Sequence, residues 1–128
     1  MKKKVDELEG AELDYWVARS GELSVRWEFD EKQAQGERGR LFYDFDHPRY
    51  RNMVFSPSTD WSQGGPIIKR ELIDLQPTAS GEVWTAKIWD FAKGDPAVEQ
   101  RGPDPLIAAM RCFVSSKFGE EVEVKPLA

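Results

Sequence analysis

The sequence predicts an α+β domain in which a small antiparallel sheet packs against a long C-terminal helix and an N-terminal helix. Three observations carry this. A helical pattern appears at Gly10 to Arg19. Short strand-like runs separated by turn formers follow it. A strongly apolar helical pattern with clear start and stop residues runs from Asp104 to Gly119.

The first helix is read from Leu13, Trp16, Val17 and Ser20, which share one side at i, i+3, i+4, i+7 spacing. Glu7, Glu9 and Glu12 lie around its start, where the helix dipole favours negative charge, and Gly21 follows as an expected left-handed cap. In Leu23 to Phe29, apolar Leu23, Val25, Trp27 and Phe29 alternate with polar residues, which is a strand with one wet face. The polar stretch 30–40 connects it to a second strand, Leu41 to Phe45, and Pro48 ends that run. Residues 56–66 are dense in Ser, Gly and Pro and are expected to be irregular, with Pro66 opening a short helix through Lys69. Leu72 to Leu75 and Val83 to Trp89 read as strands joined by a turn at 77–81, and Asp90 to Asp104 reads as a loop.

The last helix has the best-defined ends. Asp104 suits the N-cap, Pro105 the first helical position and Gly119 the C-terminal cap. Leu106, Ile107, Met110, Phe113, Val114 and Phe118 cluster within about 140° of arc. The opposite side carries Ala108, Ala109, Cys112, Ser115 and Ser116, where a surface helix would show charges. Small residues admit close approach of another backbone. That face is therefore covered either by the chain itself or by a subunit or partner, which makes Ala108, Cys112 and Ser115 candidate interface residues. A short strand around Val122 to Val124 ends the chain.

Composition narrows the functional classes. With 128 residues a single domain, 1–128, is expected, large enough to bury a core without disulfide or metal staples. Hydrophobic residues at 40%, with five Trp, exclude a disordered chain. One Cys and one His leave no internal disulfide and no Cys- or His-cluster metal site, and no cofactor signature is present. No window resembles a signal peptide or a membrane span, so a cytoplasmic protein is expected. A net charge of −5 argues against a dedicated nucleic-acid binder.

Three segments together resemble a known family: Val5–Ala18 (VDELEGAELDYWVA), Ser56–Glu71 (SPSTDWSQGGPIIKRE) and Gly102–Gly119 (GPDPLIAAMRCFVSSKFG). They look like the small NinX-type proteins of tailed bacteriophages and prophages. Leu23 to Phe55 matches no pattern in that resemblance. The resemblance implies a bacterial host cytoplasm and an accessory role. It supplies no activity and no catalytic residues.

Two functional readings follow. The first is a non-enzymatic accessory protein acting through a protein interface, with an unidentified protein or a second copy as partner. It rests on the uncharged helix face and on the lack of any recognisable catalytic constellation. The second is a small-anion or nucleotide binding module at residues 58–70. Here Gly64, Gly65 and Pro66 would present a helix N-terminus, Lys69 and Arg70 would add charge, and Trp61 and Gln63 would add stacking and amide contacts. The GKS/GKT signature of a phosphate loop is absent, and a tight turn anchored by Trp61 explains the same residues. Asp44, Asp46 and His47 form a weak metal pattern, because a strand would point His47 away from both carboxylates. Arg38, Arg40, Arg49 and Arg51 interleave with aromatic residues, as in a single-strand nucleic-acid surface, but Glu37, Asp44 and Asp46 dilute the charge.

Overall fold

The computed structural model describes residues 2–28, 40–44 and 53–124. In chain order the elements are β1 (Lys2–Lys4), a 3-10 turn (Val5–Glu7), α1 (Gly10–Ser20), β2 (Val25–Glu28), β3 (Arg40–Tyr43), α2 (Trp61–Glu71), β4 (Asp74–Pro77), β5 (Trp84–Asp90), β6 (Asp95–Gly102), α3 (Pro105–Phe118) and β7 (Glu121–Glu123). All strand pairs are antiparallel: β1 with β7, β2 with β3, and β4-β5-β6 as a three-stranded sheet. The α+β architecture is the predicted one.

α3 is the centre of the molecule because its two faces differ in side-chain size. Asp104 Oδ1 accepts a hydrogen bond from the Ile107 N–H at 2.9 Å, Pro105 takes the first position, and Gly119 stops the helix at φ 84°. On one side the fully buried Met110, Phe113 and Val114 join Leu13, Val17 and Ala18 of α1 in the core. On the other side Ala108 and Cys112 let the sheet approach closely. The Cys112 thiol lies 3.9 Å from the Val98 carbonyl oxygen, and Gln100 Nε2 donates to Ser115 Oγ at 3.4 Å. At the end of β6 a Cβ on Gly102 would stand 2.7 Å from the Ala108 nitrogen, so only glycine fits there. The buried Arg111 ties both neighbours to the helix. Its Nε donates to the Leu8 carbonyl at 2.8 Å and its Nη1 to the Arg101 carbonyl at 2.9 Å.

Four local expectations are corrected. Residues 61–66 are helical: α2 begins at Trp61, five residues before Pro66, and Pro66 lies inside it. Low propensity is overridden by a cap and by packing. Asp60 caps the helix by accepting from the Ser62 N–H at 2.9 Å, and Gly64 is buried against the chain before it. Gly65 lacks the Cβ that would clash with the following proline ring in a helical conformation.

Residues 95–102 are strand β6, not loop, paired with β5 from end to end except for a bulge at Ala97. The pattern hid because β6 is an edge strand whose exposed positions carry Asp95, Pro96, Ala97, Glu99 and Arg101, while Val98 and Gln100 are half-buried and Gly102 buried. β4 starts at Asp74 rather than Leu72, because Leu72 is the left-handed cap of α2 at φ 55°. Gly21 is not left-handed (φ −92°); Glu22 takes that role at φ 56°. Phe29 and Phe45, predicted as strand ends, lie outside the described residues.

Gly64 supplies the test of this packing. A Cβ there would press on the Pro57 carbonyl oxygen and stand 2.6 Å from Leu106 Cδ2. Although alanine is the better helix former, Gly64→Ala is expected to lose about 2–3 kcal/mol in urea unfolding. At Gly65 no atom beyond the chain neighbours would meet a Cβ, and the steric cost of a side chain before Pro66 is offset by alanine's better helix propensity, so Gly65→Ala is expected to change stability by less than about 1 kcal/mol. Equal effects at the two positions would refute the packing account.

Candidate functional site

The residues proposed for ligand binding do not act as one group. Gln63 is a structural staple. Its Oε1 accepts from the Tyr43 hydroxyl at 3.1 Å and the Ser56 N–H at 3.0 Å, and its Nε2 donates to the Val54 carbonyl and Asp60 Oδ2, both at 3.0 Å. An amide so engaged has nothing left for a ligand. Gly64 is a packing glycine and Gly65 a helix-interior one, so neither presents a helix N-terminus. The true N-terminus of α2 is occupied by Asp60, whose carboxyl is held below the usual range, first by the Ser62 hydroxyl and then by Gln63. Trp61 is 55% exposed and Lys69 is exposed.

Arg70 has a different setting. Its guanidinium lies 5.7 Å from the centre of the Phe113 ring, and its Nε donates to Glu71 Oε2 at 2.9 Å. It stands at the rim of a cavity of ≈ 450 Å³ between α1, β3 and α2. The walls are mostly apolar, with Val17, Leu23, Met53, Phe55, Ile67 and Phe113, while Ser62, Gln63 and the Tyr43 hydroxyl make a polar side. A shallower depression of ≈ 340 Å³ shares Gly21, Arg70 and Phe113 with it and adds Glu22, Glu71 and Lys117. Arg70 therefore stands between the two.

The candidate interface residues face inward. Ala108 and Cys112 are fully buried and Ser115 is 9% exposed, all covered by the chain's own sheet. Of the two readings of that face, enclosure by the same chain describes the structure. A partner contact there would require the sheet to leave. Among the described residues no group of three metal-ligating side chains gathers, and Asp46 and His47 lie outside them, as do Arg38, Arg49 and Arg51. Among the same residues no helix is long and apolar enough to cross a membrane.

A family profile described as "Bacteriophage P22, NinX" matches residues 4–117. The chain belongs to that family. The match runs through 23–55 as well, the stretch that the three resembling segments left out. No curated protein matches the chain.

Within this NinX-family fold two buried titratable groups stand apart from the cavity. Cys112 has its thiol pushed up to about 12 by burial, which keeps it in the unreactive protonated form. Asp14 on α1 is 3% exposed, and its Oδ1 accepts from the Ser58 N–H at 2.8 Å, fastening the turn before α2 to α1. Burial raises its pKa to about 6, against the hydrogen bonds from Ser58 that lower it. Neither role has a local sequence signal, because each depends on residues far apart in the chain. The same is true of the cavity walls.

For Asp14 the native state binds the proton more tightly than the unfolded chain, so this group's stabilising share is full below pH 4 and is lost as pH rises towards 6. Asn at this position keeps an acceptor for Ser58 without the charge. Relative to the unsubstituted chain, Asp14→Asn is expected to gain about 3 kcal/mol between pH 4 and pH 7, read from paired urea titrations. Parallel pH curves for the two proteins would remove the burial argument.

Proposed function

We propose that this NinX-family chain is a phage accessory protein that works by binding, not catalysis, in the cytoplasm of the bacterial host. Its working surface is the cavity between α1, β3 and α2. The observation that carries this reading is the ≈ 450 Å³ space with mostly apolar walls and one guanidinium at its rim. Its size and its mix of many apolar and few polar groups suit a bound small molecule. It also keeps part of the 58–70 segment in the role read from sequence, through Arg70 and α2 rather than through a helix N-terminus. The non-catalytic part is supported by Asp14 and Cys112, the buried groups with raised pKa values, since neither lines the cavity. Nucleic acid is not the expected ligand, because the chain carries a net charge of −5 and the described residues lining the cavity include a single cation.

A ligand-observed NMR screen with neutral and anionic fragments is the direct measurement. At least one class is expected to bind with a dissociation constant in the micromolar to millimolar range. Ile67→Trp, which fills the space from α2, is expected to abolish that binding while thermal unfolding stays within a few degrees. A silent screen, or binding indifferent to Ile67→Trp, counts against the reading.

A second reading, action through a protein interface, draws on a different surface from the one inferred from sequence. Phe91 is 77% exposed in the β5–β6 turn, and Leu72 is 69% exposed just before β4. They flank the end of the sheet where the Trp89 Nε1 donates to Asp74 Oδ2 at 2.9 Å. Large apolar side chains left exposed at one end of a sheet are the kind of feature that contact surfaces use. Light scattering over a concentration series is expected to show self-association that Phe91→Ser removes. A strict monomer at every concentration rules out the homo-oligomeric form.

A further inference from the structure

We infer that the cavity ligand is an apolar molecule bearing a single carboxylate, rather than a nucleotide or another phosphate ester. The inference rests on the cavity being the working surface, and it follows from counting charge and donors there. Arg70 is the only charged side chain among the described residues lining the space. A phosphate monoester brings close to two negative charges at neutral pH and is ordinarily met by several cationic or backbone donors. The helix N-terminus, a usual source of backbone donors, is closed by Asp60, and Gln63 is committed to its own hydrogen bonds. With Glu71 already against Nε, one negative charge is the most the rim can balance.

Geometry selects a carboxylate as that charge. Phe113 and the Glu71 carboxylate hold the guanidinium from two sides, and Glu71 occupies Nε alone. The two terminal nitrogens are left without a hydrogen-bond partner among the described residues. A planar guanidinium presents those two nitrogens as a fork that matches two carboxylate oxygens. Behind the fork the walls are Val17, Leu23, Ile67 and Phe113, which fit an aliphatic or phenyl body. Glu71 weakens the local positive field, so it opposes the same ligand that Arg70 attracts.

Isothermal titration with 4-phenylbutyrate, 4-phenylbutyramide, octanoate and phenyl phosphate tests the assignment. The carboxylates are expected to bind about tenfold or more tightly than the amide and the phosphate. Arg70→Gln should erase that advantage and leave the amide unchanged, Arg70→Lys should restore part of it, and Glu71→Gln should strengthen carboxylate binding several-fold. Arg70 and Glu71 sit at the surface, so melting temperatures close to the parent's will show that these variants fold. Amide and carboxylate binding equally, both lost in Ile67→Trp, would overturn the carboxylate assignment and leave the cavity standing. Phenyl phosphate binding tightest would overturn it too. If none of the four binds, the assignment and the cavity reading fall together.

Discussion

The fold depends on one asymmetry, the division of α3 into a face of large side chains and a face of small ones. Large residues such as Met110, Phe113 and Val114 fill the space towards α1, where burying each is worth about 1.5–3 kcal/mol. Small residues towards the sheet let β5 and β6 lie almost on the helix backbone, to the point that Gly102 has no room for a Cβ. A helix enclosed on both sides has no use for surface charge, which explains its composition. Its one buried charge, Arg111, has a separate task. Burial lowers its pKa, and nearby Glu9, Asp6 and Asp104 support the charged form while the guanidinium satisfies two backbone carbonyls. Arg111 thereby fixes the turn near Leu8 and the end of β6 to the same helix.

The cavity is a consequence of how α2 is fastened to this core. α2 has poor intrinsic helicity, with two glycines and an internal proline, and it persists through its ends and its contacts. Asp60 and Gln63 organise the first turn and hold it to Tyr43 and to residues 54–56. Gly64 brings the helix against Pro57 and Leu106. Asp14 holds the preceding turn to α1 through Ser58. These attachments seat the N-terminal part of α2 tightly, while Pro66, Ile67 and Arg70 on the later part face open space. The buried carboxylic acid costs stability at neutral pH, and in return it holds the turn before α2 to α1.

Arg70 joins the electrostatics of the surface to the apolar interior. Stacked on Phe113, it stands on a residue that belongs to the core of α3, so the cation is tied to the buried interior of the fold. Glu71 beside it offsets part of that charge. A binding role needs no more chemistry than this. The contrast with the Ala108, Cys112 and Ser115 face is instructive, because small uncharged residues on a helix report close approach without saying whose backbone approaches.

Much of the secondary structure was legible in the sequence, because local rules determine it. Asp104, Pro105 and Gly119 mark the ends of α3 by satisfying or omitting backbone groups, and alternation at Leu41 and Tyr43 or at Trp84, Ala86 and Ile88 assigns strand faces. The family was legible too, from three long segments. The rest needed the tertiary structure, for one physical reason: its stabilising contacts join residues distant in sequence. Only folding decides that Gly64 packs inside a helix and is not part of a turn, that a polar stretch pairs with β5 as an edge strand, and that Gln63 is consumed by hydrogen bonds. Only folding brings Val17, Tyr43, Arg70 and Phe113 around one cavity. Local chemistry determined the elements, and long-range packing decided the site.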